Sequence, residues 1–422
     1  MNLAPTTHLA LVNVFVGDIQ GGLGPFLATW LAEAAHWGPR EIGAVTTVVG
    51  LGTLALNGPA GALVDRSRSP RVLVAAACAA ILAGTLLLLP ARSFWTVMAA
   101  QFLAAAGGVL VVPALAGLTL GIVGKVAFPR QQGRNQAANH VGILAAALLV
   151  GFGTRTFGLG VAFWVLAVMA VLAILAVWAM PAQAWNRRRA LGWKEDAEDE
   201  GGETSPIRAV LANRGLLLMA AALGLFNLGN GSMLALMGQR LVAEGRDATT
   251  WTATYVVVAQ LTMVPVALWA GALADRQGRR RLLLLACAAL PVRALLTALV
   301  SDPTWLILAE VLDGVASAVI GVAVPVIVAD LTWGSGRTQT ALGTVNAIQG
   351  LGGALSGLVG GLLASWLGWT GAFLALAVPA VLAFVLALRL EETAADVRDR
   401  HAEGRQRRRD RREEKRRARK AA

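Results

Sequence analysis

The sequence is poor in the residues on which most soluble chemistry depends. Its 422 residues include one tyrosine, four histidines and two cysteines, and only 15% are charged. Cys78 and Cys287 each stand alone in an apolar run, so there is no CxxC pair and no zinc-ligand spacing. They read as small packing residues. No HExxH or GxSxG motif occurs, and Gly124-Lys125 is followed by Val126 rather than Ser or Thr, which excludes a phosphate-binding loop. With soluble segments of only about 32 residues, there is no room for the nucleotide domain of an ATP-driven pump. The reading is therefore of a non-enzyme without cofactor or metal. The formal charge of +12 does not indicate nucleic acid, because Lys and Arg fall in short loops and in the tail, away from stacking aromatics.

What the sequence has instead is apolar length. Hydrophobic residues make up 56% of it and the mean hydropathy is +0.62. A run of about 20 apolar residues crosses a hydrocarbon core as a helix. Such runs predict helices at 8–30, 41–62, 71–89, 94–124, 137–154 and 157–180, then at 215–238, 250–272, 282–300, 304–328, 339–366 and 370–388. This is an all-α membrane protein of twelve transmembrane helices, with the lipid bilayer as its surroundings. Its expected divisions are an N-terminal six-helix bundle (1–182), a linker (183–214), a C-terminal six-helix bundle (215–390) and a basic tail (391–422). The first run lacks a basic leader and a cleavage site, so it is read as retained. Counting Lys and Arg by loop gives seventeen on the side of the N-terminus, tail excluded, against five on the other. By the positive-inside rule both termini are cytoplasmic, in an inner membrane.

The chain also repeats itself. Residues 61–71 read GALVDRSRSPR and residues 271–281 read GALADRQGRRR, an offset of 210. Gly133, Arg134 and Gln136 are echoed by Gly336, Arg337 and Gln339, and Pro113 by Pro325. Three matches in corresponding places imply two pseudo-symmetric six-helix halves, an arrangement that puts a transport site near the midplane between them.

The doubled segment resembles the signature loop of the major facilitator superfamily (MFS), G-x-L-A-D-R-x-G-R-R. Gly271, Leu273, Ala274, Asp275, Arg276, Gly278, Arg279 and Arg280 fit it throughout. The first copy keeps Gly61, Leu63, Asp65 and Arg66, with Arg71 at its end, but has Arg68 at the second glycine. The resemblance implies a secondary active transporter working by alternating access. In it this loop is a conformational latch, here Gly61, Asp65, Arg66, Arg71, Gly271, Asp275, Arg276, Gly278 and Arg280. The two aspartates lie where they can accept hydrogen bonds from a neighbouring helix N-terminus or pair with an arginine. It further implies a cavity lined by helices 1, 4, 7 and 10. Two marks of drug antiporters in the family are missing. Leu103 and Ala104 stand where an arginine precedes Gly107 and Gly108, and the fifth helix, 137–154, has no proline.

Ionisable groups inside a membrane are costly and point to function. Asp18, in the glycine-rich run NVFVGDIQGGLGPF, is the first candidate for a protonatable or cation-binding carboxylate. Gln101 in helix 4, Asn227 and Asn230 in helix 7, and Glu310 and Asp313 in helix 10 complete the substrate or proton candidates. Arg293, the one base buried in a predicted helix, is expected to form an ion pair with Glu310 or Asp313. His140 is read as close to the cytoplasmic surface, and Gly353, Gly357 and Gly361 as a helix-packing ridge.

The expected function is proton-coupled export of a small drug-like or metabolite molecule. The substrate is a small molecule, protons are the coupling ion, and a monomer is favoured. An uptake permease for a polar or charged solute is the alternative. A sensor or scaffold on the same fold is the alternative from another class.

Overall fold

Single glycines, rather than long loops, set two of the sharpest boundaries in this fold. In the computed structural model the described residues are 4–21, 27, 30–31, 37, 39–91, 93–158, 160–193 and 213–394. Residues 18–21, 39–40, 43, 155, 249 and 275 are described by their backbone alone. The helical stretch Phe94–Phe157 breaks at Gly124, whose φ of 70° lies in the left-handed region that a side chain disfavours. Thr338–Leu388 breaks in the same way at Gly368, φ 67°.

The helices are α1 (Pro5–Gly21), α2 (Pro39–Arg66), α3 (Pro70–Leu88), α4 (94–123), α5 (125–157) and α6 (Val161–Trp178). A short interhelical turn follows at Arg187–Ala190. Then come α7 (Arg214–Asn230, continued by Met233–Ala243), α8 (Ala248–Gln277), α9 (Arg279–Leu299), α10 (Pro303–Leu331), α11 (338–367) and α12 (369–388). Nine described helices are long and apolar enough to cross a bilayer. Two of these are the glycine-broken stretches, so they supply eleven spans, and α1 is the twelfth. The chain is a multi-pass membrane protein of twelve helices in two bundles.

Each bundle has its own core. Val74, Cys78, Ile81, Leu118 and Leu166 are buried together in the first. Leu223, Phe226, Tyr255, Cys287 and Phe373 are buried together in the second. Both cysteines are free and buried, as small apolar residues. The two bundles share a smaller cluster of Leu120, Phe128, Val326 and Ala329. That cluster lies near the ends of α4 and α10 and the start of α5, on the side of the membrane where the chain begins, here the termini end. Leu51, Phe152, Trp164, Trp305 and Leu358 are more than half exposed, as lipid-facing side chains should be.

One expectation is corrected here. Residues 125–136, read as a loop, are the first three turns of α5, because Gly124 alone reverses the chain. His140 is therefore about 23 Å along α5 at 1.5 Å per residue. It is not at the surface: its Nδ1 lies 2.9 Å from Gln260 Oε1 in the middle of α8.

Candidate functional site

The seam between the bundles is closed at the termini end by contacts too tight for side chains. A Cβ on Gly61 would overlap the Gln339 carbonyl, and one on Gly343 would overlap the Asn57 carbonyl. These fix α2 against α11. On the other side of the seam a Cβ on Gly133 would sit 2.8 Å from Gly271 Cα, fixing α5 against α8. Gly61 and Gly271 thus hold corresponding positions in the two halves.

Beside Gly61, Asp65 reaches the first turn of α11. Its Oδ1 accepts from Gln339 N–H at 3.1 Å; its Oδ2 accepts from Thr340 N–H at 2.7 Å and from Thr340 Oγ1 at 2.6 Å. The residue at the N-cap of α11, Arg337, makes no side-chain cap. The first N–H groups of a helix lack intrahelical partners and carry partial positive charge. A carboxylate from the opposite bundle satisfies them instead. A second polar link crosses the seam nearby. Asp330, at the end of α10, meets Arg279 Nε at 3.0 Å and Lys125 Nζ, from α5, at 3.7 Å. Gln132 and Gln136 of α5 both donate to the Gly321 carbonyl of α10, at 3.3 and 3.1 Å.

Replacing Gly61 by valine should force this end apart, since two backbone segments occupy the space its Cβ needs. Spin labels at Ser67 and Ser335 should show a longer distance population, and Gly108→Ala, facing open space, should not. An unchanged distribution in Gly61→Val would show that the contact does not hold the seam.

Farther from the termini end, the bundles part around a cavity of about 760 Å3. Its walls come from α2, α3, α4, α6, α7 and α11. Leu54, Ile81, Val109, Val112 and Leu166 give it apolar surface; Asn57, Gln101, Asn227, Asn346 and Gln349 give it amides. No described lining residue is ionisable. The glycine ridge differs from expectation. A Cβ on Gly353, Gly357 or Gly361 would meet nothing within 4 Å, and Gly353 lines the cavity. The ridge bounds open space, because α2 and α11 diverge beyond Leu54 and Gly350.

A separate polar cluster is buried in the second bundle. Arg293 Nη2 donates to Glu310 Oε1 at 2.8 Å and its Nη1 to Asp313 Oδ1 at 2.9 Å. Asn230 accepts from Arg293 and donates to Asp313 Oδ1 at 2.8 Å. Arg293 and Glu310 are almost fully buried, while the Asp313 side chain keeps 17% exposure. One guanidinium thus serves two carboxylates. Asn230 stands one turn beyond Asn227 on α7, so one helix joins this cluster to the cavity.

The structure therefore sorts the sequence candidates into three places. Gln101 and Asn227 line the cavity. Asn230, Glu310 and Asp313 gather on Arg293. Gly61, Asp65 and Gly271 lie at the seam. Arg71 and Arg280 go elsewhere. Arg71 donates to the Trp178 carbonyl at the end of α6, and Arg280 to the Leu388 carbonyl at the end of α12. Each tethers its own bundle, and the two acceptors are again 210 residues apart. Gly278 turns the chain into α9 at φ 95°. Arg66, next to Asp65, makes no contact across the seam among those described. Arg276 follows Asp275, and the Asp18 and Asp275 side chains fall outside the described residues. Of the helices that the resemblance gives to the cavity, α4 and α7 contribute among the described residues, joined by α2, α3, α6 and α11. Sequence reading missed Asn57, Thr85, Asn346 and Gln349 because it weighted ionisable groups. The run LGTVNAIQGLGG, with two amides one turn apart in an apolar span, was the available signal.

Twelve membrane-crossing helices in two bundles, around a cavity sealed at one end, have the architecture of a membrane transporter. The sequence model of the Major Facilitator Superfamily matches residues 9–292 and 253–421, and the chain belongs to that family. It is 35% identical over 393 residues to an uncharacterized MFS-type transporter of Mycobacterium tuberculosis, covering 92% of this chain and 94% of that one. Shorter stretches are similar to a triacylglyceride transporter of Mycobacteroides abscessus (38% over 118 residues, 28% of this chain and 23% of that one). Others are similar to a puromycin resistance protein of Streptomyces alboniger (34% over 99 residues, 24% and 20%). In fold it resembles the E. coli fucose:proton symporter, with a TM-score of 0.70 at 15% identity over 92% of this chain and 98% of that one.

Proposed function

We propose that this MFS transporter exports a drug-like or metabolite compound from the cytoplasm, driven by protons moving inward. The observation that carries the reading is the cavity of about 760 Å3, walled by both bundles and closed at the termini end. Its size suits a drug-sized molecule. Its lining has the apolar walls and few polar groups usual for such ligands. The local similarity to a puromycin resistance protein supports the outward direction. In this reading the termini end is cytoplasmic, the bundles 1–182 and 215–390 rock about the seam, and the linker 183–214 and tail 391–422 lie in the cytoplasm.

The proton has two candidate sites. One is the Arg293–Glu310–Asp313 cluster, where a single guanidinium serves two carboxylates. Asp313, the more exposed of the two, is the candidate within it. The other is Asp18 on α1. Asp65 acts as the latch that keeps the cytoplasmic end shut in this state.

Proteoliposomes with an imposed pH gradient test the reading. Wild-type protein should accumulate hydrophobic dyes against their gradient and exchange them in counterflow. Asp18→Asn should keep counterflow and lose pH-driven flux if Asp18 carries the proton. Wild-type flux in that variant moves the proton to Asp313, where Asp313→Asn should then give the same split. A folded protein with neither flux nor counterflow for any compound would sink the export reading.

A further inference from the structure

We propose that the cavity takes an uncharged amphiphile, an apolar body carrying neutral hydrogen-bonding groups, and one that partitions into the bilayer. The proposal rests on the transporter reading for its biological sense, but its evidence is the chemistry of the walls.

The first strand of that evidence is charge. Among the described residues, the buried carboxylates of Asp65, Glu310 and Asp313 are engaged away from the cavity, Asp65 on the first turn of α11 and the other two on Arg293. No described residue on the walls could neutralise an ammonium or a carboxylate. Moving an unpaired ion from water into such a space is strongly unfavourable.

The second strand is hydrogen bonding. The side-chain amides of Gln101, Asn346 and Gln349 make no hydrogen bond within the described protein. Each offers two donors and one carbonyl acceptor. Asn57 and Asn227 donate to the carbonyls of Thr53 and Leu223, one turn back on their own helices, which leaves their side-chain carbonyls without a partner. Thr85, in the same wall, is fully buried, and its hydroxyl has no partner among the described residues. The amides are only half-buried, so their free groups are open to whatever fills the cavity. A ligand bearing amide, ester, carbonyl or hydroxyl groups would meet them in place of water. A pure hydrocarbon would leave them unmet, and an ion would bring a charge that the described walls do not meet.

The third strand is the rim. Contact between α2 and α11 ends where Leu54 Cδ2 comes within 2.8 Å of the space beside Gly350. Beyond it Gly50, Gly353, Gly357 and Gly361 face nothing within 4 Å. Exposed leucines flank this opening, Leu51 on α2 and Leu351 and Leu355 on α11. A cleft with aliphatic flanks at bilayer depth suits a molecule that arrives from, or departs into, lipid.

A matched trio tests the class: decanamide, decanoate and decylammonium share one chain length and differ in charge. Purified full-length protein in nanodiscs is titrated with each, and the melting temperature is followed. A ligand that binds the folded state raises it by mass action. The expected result is a saturable rise with decanamide and little with either ion. Gln101→Leu combined with Gln349→Leu should weaken the amide response at least about tenfold, on the usual worth of two hydrogen bonds. Asn346→Val is the second variant, should the pair fail to fold. Equal or stronger binding of either ion would overturn the proposal. So would an amide response undiminished in the folded variants, which would mark it as an effect on the lipid. Binding at equilibrium does not require transport. Amide binding without flux would therefore sink the export reading alone, and flux of ions alone would sink this one.

Discussion

Arg293→Leu should destabilise the protein by about 3–5 kcal/mol, because it leaves two carboxylates buried beside each other without a counter-charge. Glu310 is 1% exposed, so its charge would be left in a dry setting. Asn230 would lose one of its two partners in the cluster. The loss should appear as a large fall in melting temperature or as failed expression. Adding Glu310→Leu and Asp313→Asn to Arg293→Leu should recover most of the stability, since a buried ion pair replaced as a set by neutral groups of similar volume is often no less stable. The comparison separates two roles. If the cluster only holds α7, α9 and α10 together, the triple variant should transport as well as it folds. If it holds the coupling proton, the triple variant should fold and lose pH-driven flux. A single Arg293→Leu variant as stable as wild type would show that water reaches these carboxylates.

Asp65→Ala should shift the balance between states toward opening at the termini end. The carboxylate accepts three hydrogen bonds from Gln339 and Thr340, all across the seam. Hydrogen bonds to a charged group contribute about 1.5–3 kcal/mol each. Losing them should change the equilibrium by one to two orders of magnitude even after water replaces part of the set. Asp65→Asn should do less, as it keeps one acceptor oxygen but turns an NH2 toward N–H donors. Distances between spin labels at Ser67 and Ser335 read the shift directly. Two variants with the wild-type distribution would remove Asp65 from the latch. Thr340→Val is an independent check. It deletes only the hydroxyl contact at 2.6 Å and leaves both backbone donors, so its effect should be the smallest of the three.

The glycine positions show how far a sequence can be read. Gly61 and Gly353 both stand on predicted helices, Gly61 in the doubled signature and Gly353 in a ridge read as a packing surface. Gly61 is pressed against the Gln339 backbone, whereas Gly353 faces open cavity. The residue type permits close approach in either case. Which glycine uses it depends on where two helices cross, and one chain's pattern does not hold that information. The same holds for the amides. Asn227 and Asn57 look alike to the sequence as Asn346 and Gln349 do, polar groups in apolar helices. Only packing tells that the first two give their N–H groups to their own helices while the last two keep theirs free.

The sequence by itself determined the class of this protein. Twelve apolar runs set the number of spans, since a bilayer of fixed thickness admits only helices of that length. The offset of 210 set the duplication, and the doubled G-x-L-x-D-R set the family. It also foresaw that Arg293 would meet Glu310 or Asp313, because a lone guanidinium in a membrane helix needs a carboxylate on an adjoining one. The tertiary structure decided what each polar group is used for. Asp65 meets Thr340 across 275 residues of sequence, and Arg71 and Arg280 tie down helix ends within their own halves. Gly124 alone reverses the chain, which carries His140 from the expected surface to mid-membrane. These outcomes depend on how helices distant in the chain cross one another. Helical periodicity fixes which face a residue is on, but the partner that face meets is set by the packing of the whole bundle.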